Sequence, residues 1–137
     1  MTNRIMGLDI GTKRIGIALS DPLLITSQPF RTIERKPEKD ALNTLQEIIN
    51  TYSVDKIVAG LPLMMNGDFG EQAQDCKDFG EKLKQKTNID VIFIDERLTS
   101  YQAEEILKEQ GVKYTKDKGK VDMVAASIIL REYMDTL

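Results

Sequence analysis

The sequence predicts an α/β domain, one mixed five-stranded sheet flanked by helices, and three observations predict it. Two isoleucine- and leucine-rich runs, Ile5 to Ile10 and Ile15 to Ser20, are separated only by Gly11-Thr12-Lys13-Arg14, the pattern of a β-hairpin. Downstream, short apolar runs alternate with segments of helical spacing, as in βαβ units with parallel strands. The run Val91 to Ile94 has no polar alternation, as expected of a strand covered on both faces. The 137 residues suit a single domain, spanning 1–137, with a core of its own.

The remaining elements follow in order. A third strand is expected within Thr26 to Ile33, after the Asp21-Pro22 turn, which makes the N-terminal strands an antiparallel ribbon. Pro37 suits the first turn of a helix, and Ala41, Leu42, Leu45, Ile48, Ile49 and Tyr52 keep helical spacing. Lys56 to Ala59 is a short strand ending in Gly60-Leu61-Pro62, and Gln72 to Lys86 is a helix with Ala73, Cys76, Phe79 and Leu83 on one stripe. Thr99 and Gln102 form a capping box ahead of Ala103, Ile106 and Leu107, and Gly111 ends that helix. The stretch KYTKDKGK, Lys113 to Lys120, has no apolar periodicity and reads as a loop before a final amphipathic helix, Val121 to Leu137.

Composition narrows the chemistry. Hydrophobic residues make up 41% and charged residues 30%, the balance of a soluble globular protein. No apolar run approaches a membrane span and no signal-peptide pattern opens the chain, so a cytoplasmic protein with no membrane partner is expected. The single cysteine, Cys76, excludes a disulfide framework and a cysteine zinc cluster. There is no histidine, which excludes Ser-His and Cys-His nucleophile systems, histidine bases and HExxH zinc sites. Chemistry must then rest on carboxylates, lysines, hydroxyls or a bound metal. The net charge of −3 argues against a strongly basic nucleic-acid coat while leaving room for local phosphate-binding patches.

Asp9 lies inside the apolar run GLDIGTKRIGIALSD, and a buried carboxylate is costly unless something pairs with it. Asp95 and Glu96 directly follow Val91 to Ile94. Ligands of open α/β sheets gather at the carboxyl ends of parallel strands, so a first strand parallel to the last puts Asp9 and Asp95-Glu96 at one edge. Asp122 begins the final helix, where Ala125, Ala126 and Ile129 allow close packing on the sheet and so bring Asp122 to the same place. Like charges gathered in this way repel, and a divalent cation reverses the sign. Mg²⁺ and Mn²⁺ prefer oxygen ligands, and two such ions about 3.5–4 Å apart can drive phosphodiester cleavage. That chemistry needs no histidine.

Taken singly, each acid has a plainer reading. Asp9 suits hairpin amides, Asp122 suits a helix N-terminus, and Asp95 suits a cap or a pair with Arg97. The conjunction of two strand ends and a helix start, each with a carboxylate, favours function. Lys13 and Arg14 suit phosphates beside Asp9 or a solvated turn, and Arg97 suits a phosphate or a neighbouring carboxylate. Lys113, Lys116, Lys118 and Lys120 outnumber Asp117 in the stretch leading to Asp122, a pattern that suits a nucleic-acid backbone. Asn66-Gly67-Asp68-Phe69-Gly70 suits either anion contact through backbone amides or a simple turn.

The blocks GLDIGTKRIGIALSD, VAGLPLMMNGDFG, DERLTSYQAEEIL and KVDMVAASIIL resemble, in that order, the signature blocks of the YqgF family. Members of that family are described as Holliday junction resolvases and as nucleases that mature the 5′ end of pre-16S ribosomal RNA. The resemblance implies an RNase H-like fold related to RuvC, and metal-dependent hydrolysis with Mg²⁺ or Mn²⁺ in a two-metal site. It implies a nucleic-acid substrate, an rRNA precursor or branched DNA, with ribosomal particles as partners. It also implies Asp9, Glu96 and Asp122 as an acidic triad, with Asp95 as substitute or helper. Two departures stand out. Ala59-Gly60-Leu61-Pro62 carries no acid at the fourth strand end, where many RNase H-like nucleases place one, and Met64 stands where a polar residue is expected. Two alternatives compete: a catalytically inert RNA-binding module of ribosome assembly, and a phosphate-binding protein of the actin-like or sugar-kinase type. The latter needs a second domain and an adenosine-binding glycine motif. The oligomeric state, monomer or homodimer, is left open by the sequence.

Overall fold

The computed structural model describes residues 3–96, 99–111 and 118–137. Strand β1 (Arg4–Ile10) and strand β2 (Arg14–Ser20) form the expected hairpin, antiparallel from Met6↔Leu19 to Ile10↔Ile15. Strand β3 (Ser27–Glu34) adds antiparallel to β2. Helix α1 (Glu38–Thr51) carries the chain across to β4 (Val54–Leu61), which joins the free side of β1 in parallel. Helix α2 (Glu71–Thr87) returns it to β5 (Val91–Asp95), parallel to β4, and α3 (Thr99–Glu109) and α4 (Lys118–Met134) follow. The sheet order is β3-β2-β1-β4-β5. Pro29 is tolerated in β3 because that strand lies at an edge, where a missing amide costs no ladder bond.

The period of two along each strand sorts the core into two layers. Met6, Leu8 and Ile10 of β1, Ile15, Ile17 and Leu19 of β2, and Ile57 and Ala59 of β4 pack with α1 and α2 through Leu45, Ile48, Ile49, Cys76, Phe79 and Leu83. Ile5, Ala18 and Val58 point the other way and meet Ala126, Ile129, Leu130 and Met134 of α4. Leu107 and Ala103 of α3 pack against Val121 and Ala125 on the same helix. No helix among the described residues is long and apolar enough to cross a membrane.

On its sheet side, α4 lies on glycine. A Cβ at Gly7 would stand 2.8 Å from the Ala126 carbonyl oxygen and 2.7 Å from Leu130 Cβ. At Gly16 it would fall on the carbonyl of Asp122 itself. These two positions require glycine because a helix backbone occupies the space a side chain would fill.

Two expectations change near the C-terminus. Lys118, Gly119 and Lys120 form the first turn of α4 instead of ending a loop, and Thr32 Oγ1 donates to the Gly119 carbonyl (2.6 Å), tying that turn to β3. Asp122 therefore lies one turn inside the helix and not at its start, and α4 ends at Met134, short of Leu137. Residues 113–117 of the expected loop, and the side chain of Thr99 in the expected capping box, lie outside the described residues.

Candidate active site at the carboxyl edge of the sheet

Because β1, β4 and β5 run parallel, their carboxyl ends share one edge. Asp9, next to last in β1, stands opposite Gly16 of β2 and on the same face as Gly7, the face covered by α4. Asp122 sits above Gly16, so its backbone is fixed directly over the partner of Asp9. Asp9 senses the Asp122 carboxylate. Burial first, and the nearby Asp122 second, push Asp9 from an ordinary 3.8 up to about 6, against the pull of Arg14. No described donor makes a hydrogen bond to the Asp9 carboxylate.

Arg14 answers part of that charge. It is the first residue of β2 and not a turn residue, and its Nε donates to Asp122 Oδ2 at 2.5 Å. The bond and the charge of Asp122 hold the guanidinium protonated even more firmly than usual. Side-chain exposures of 32% for Arg14 and 18% for Asp122 leave the pair open to solvent on one side.

Glu96 comes from the third direction. Its backbone N–H donates to the Leu61 carbonyl (3.0 Å), which extends the β4–β5 pairing by one residue. A Cβ at Gly60 would meet Glu96 Cβ at 3.0 Å and Cγ at 3.1 Å, so the Glu96 side chain lies across Gly60 on the α4 face. Leu8 pairs with Ala59, and the next step of that register sets Asp9 beside Gly60. The missing acid of the fourth strand is thus the space that admits Glu96. Asp95 alternates to the opposite face, with Phe93, and is exposed. The geometry separates the two neighbours: Glu96 faces the Asp9 side and Asp95 does not.

The expected gathering is only partly realised. Asp9 and Asp122 are coupled and Glu96 flanks them, yet among the described residues no group of three or more acids stands close enough to cage a metal ion. Lys13 is exposed in the hairpin turn, and Lys118 and Lys120 are exposed in the first turn of α4, ahead of Asp122. Arg97, Lys113 and Lys116 lie outside the described residues. The Asn66–Gly70 segment is a turn: the Met64 N–H bonds the Asp68 carbonyl, Gly67 bonds Met64, and Asn66 Oδ1 accepts from the Asp68 N–H.

Arg35 was not expected here. Only 5% exposed, it donates to both carboxylate oxygens of Asp75 at 3.0 Å and to the Gly11 carbonyl at 2.9 Å, with its guanidinium 4.7 Å from the centre of the Phe79 ring. Its backbone N–H also donates to the Lys13 carbonyl (2.9 Å). Arg35 therefore holds the β1–β2 turn at both ends, two residues beyond Asp9. In the sequence it stands in the charged run ERKPEK, which carries no sign of burial.

A family model described as "RuvX: Holliday junction resolvase" matches residues 3–136. The chain belongs to the RuvX family. This bears out the family resemblance drawn from the four sequence blocks, and it makes the chain a member of a nuclease family. The match covers residues 3–136, far beyond GLDIGTK, the stretch on which the actin-like or sugar-kinase alternative rests. A relative from Lachnospira eligens is 45% identical over 136 residues, covering 97% of each chain, and carries the name "Putative pre-16S rRNA nuclease". Among solved structures, Thermus thermophilus RuvC in complex with a Holliday junction substrate superposes with a TM-score of 0.59 at 9% identity, over 97% of this chain and 94% of that one. The fowlpox virus resolvase bound to Holliday junction DNA gives 0.59 at 16% identity, over 97% of each. At those identities the likeness establishes the RuvC-type, RNase H-like fold of this RuvX-family member.

Proposed function

We propose that this RuvX-family protein is a metal-dependent nuclease acting on structured nucleic acid, with Asp9, Glu96 and Asp122 as its acids. The observation that carries the reading is the coupling of Asp9 to Asp122 across Gly16, with Glu96 laid over Gly60 beside them. An all-oxygen donor set suits Mg²⁺ or Mn²⁺, which commonly takes one or two carboxylates and completes its shell with water and substrate oxygens. A raised Asp9 and a solvent-facing Asp122 fit that need without a full protein cage. When bound, the metal would activate water and stabilise the leaving oxygen. The chain's own residues do the rest. Gly7, Gly16 and Gly60 let α4 and Glu96 close on Asp9. Arg35 keeps the hairpin turn fixed, and Lys13, Lys118 and Lys120 offer phosphate contacts around the acids.

The names of the curated relatives favour an rRNA precursor as substrate, and branched DNA is the second candidate. The test is cleavage of a pre-16S rRNA fragment and a four-way DNA junction, side by side, by purified protein with Mn²⁺ and with a chelator. Cleavage should require the metal. Loss of a residue that merely supports a metal ligand costs about 10–100-fold, so Asp9→Asn, Glu96→Gln and Asp122→Asn should each lose at least about a hundredfold. Full activity in any of them removes that residue. An active Glu96→Gln with an inactive Asp95→Asn moves the role back by one residue. Tight RNA binding with no cleavage under any metal identifies an inert ribosome-assembly module.

A further inference from the structure

We infer that Arg14 is a placeholder for the metal: in the metal-free protein its guanidinium holds Asp122, a divalent cation must displace it, and the freed guanidinium then turns to a substrate phosphate. The inference rests on the metal-dependent reading above and assigns Arg14 a role within it. Arg14 shares a strand face with Gly16, since the two are two residues apart in β2, and so lies on the side covered by α4. It takes the Oδ2 oxygen of Asp122, and it sits in the field of three acids, Asp122, Glu34 and Asp9. That guanidinium bonds Asp122 and works against the charge on Asp9. A divalent ion arriving between them meets both an occupied ligand and a like charge.

Solvent reaches Arg14. A third of its side chain is exposed, and solvent on that side screens the pair. The guanidinium therefore leaves at small cost once a stronger cation takes Asp122, and its planar fork matches a phosphate in two-point contact.

The reverse assignment makes the opposite prediction. If Arg14 only ties α4 to β2, its loss loosens Asp122 and weakens metal binding. If it is a placeholder, its loss frees a ligand that is otherwise only fractionally available, and metal binding tightens. The experiment is calorimetric titration of Mn²⁺ into nucleic-acid-free wild type, Arg14→Gln and Arg14→Lys, with Asp9→Asn as the control that removes the site. Arg14→Gln should bind Mn²⁺ roughly threefold to tenfold more tightly than wild type. Arg14→Lys, which keeps the charge but loses the fork, should fall between the two and carries the test if the glutamine variant does not fold. Equal or weaker binding by the variants, with wild type binding Mn²⁺ through Asp9, overturns the placeholder and leaves the nuclease reading intact. No Mn²⁺ binding by any of the three removes the metal-dependent reading, and the placeholder with it.

Discussion

Asp9 stands opposite Gly16 with its carboxylate partly buried and no described hydrogen-bond donor, so its charge is carried at a cost. A carboxyl raised from 3.8 in the unfolded chain to about 6 in the folded one binds its proton more tightly when folded. Its effect on stability is then favourable below about pH 4 and is lost as pH rises through 6. The full difference is about 3 kcal/mol at one pKa unit per 1.36 kcal/mol. We expect metal-free Asp9→Asn to lack this loss. Urea unfolding of both proteins between pH 4 and 8 should show the variant gaining on wild type across that window. Parallel pH profiles for the two would mean that Asp9 ionises at its ordinary value. Asp75 and Glu38, both held low by bonds to Arg35 and Lys82, act in the opposite direction in both proteins, so the difference isolates Asp9.

At the scale of elements, the fit of α4 to its glycine bed decides whether Asp122 reaches Asp9. Gly16→Ala puts a methyl group onto the Asp122 carbonyl, a backbone atom that moves only if the helix moves. Overpacking of this kind costs about 1–3 kcal/mol. We expect a lower melting temperature together with reduced Mn²⁺ affinity, whereas an Ala variant with wild-type metal binding would show that α4 can shift without disturbing Asp122. The strands of this architecture were legible because apolar runs bounded by Gly and Pro leave little choice. Asp9 was legible as the odd carboxylate in such a run. The first turn of α4 was not, because Lys118-Gly119-Lys120 has no apolar face and is held by Thr32 from another strand. The Arg14–Asp122 pair was hidden for a similar reason. Its partners are 108 residues apart, and no local pattern records a contact of that range.

For the molecule as a whole, charge is distributed unevenly. The net charge is −3, yet Lys118 and Lys120 open the helix that carries Asp122, and Lys113 and Lys116 precede them in the chain. Each phosphate neutralised contributes about −0.7 to −0.9 to the slope of log affinity against log salt. Changing all four lysines to glutamine should flatten that slope by roughly 2–3 units while leaving Mn²⁺ binding at Asp9 unaltered. Fluorescence anisotropy with labelled RNA at several salt concentrations measures it, and an unchanged slope would take these lysines out of the interface.

The strand order has a further consequence, one of timing. Asp9 belongs to β1 and Asp122 to α4, and the chain must lay down β2 to β5 between them. Until α4 exists, Gly7 and Gly16 line a bare face, Arg14 has no Asp122 to hold, and the acids are incomplete. A chain still being synthesised therefore has the sheet edge that carries Asp9 before it has Asp122. The pairing of Asp9 with Asp122 arrives in one step, when α4 settles on Gly7 and Gly16.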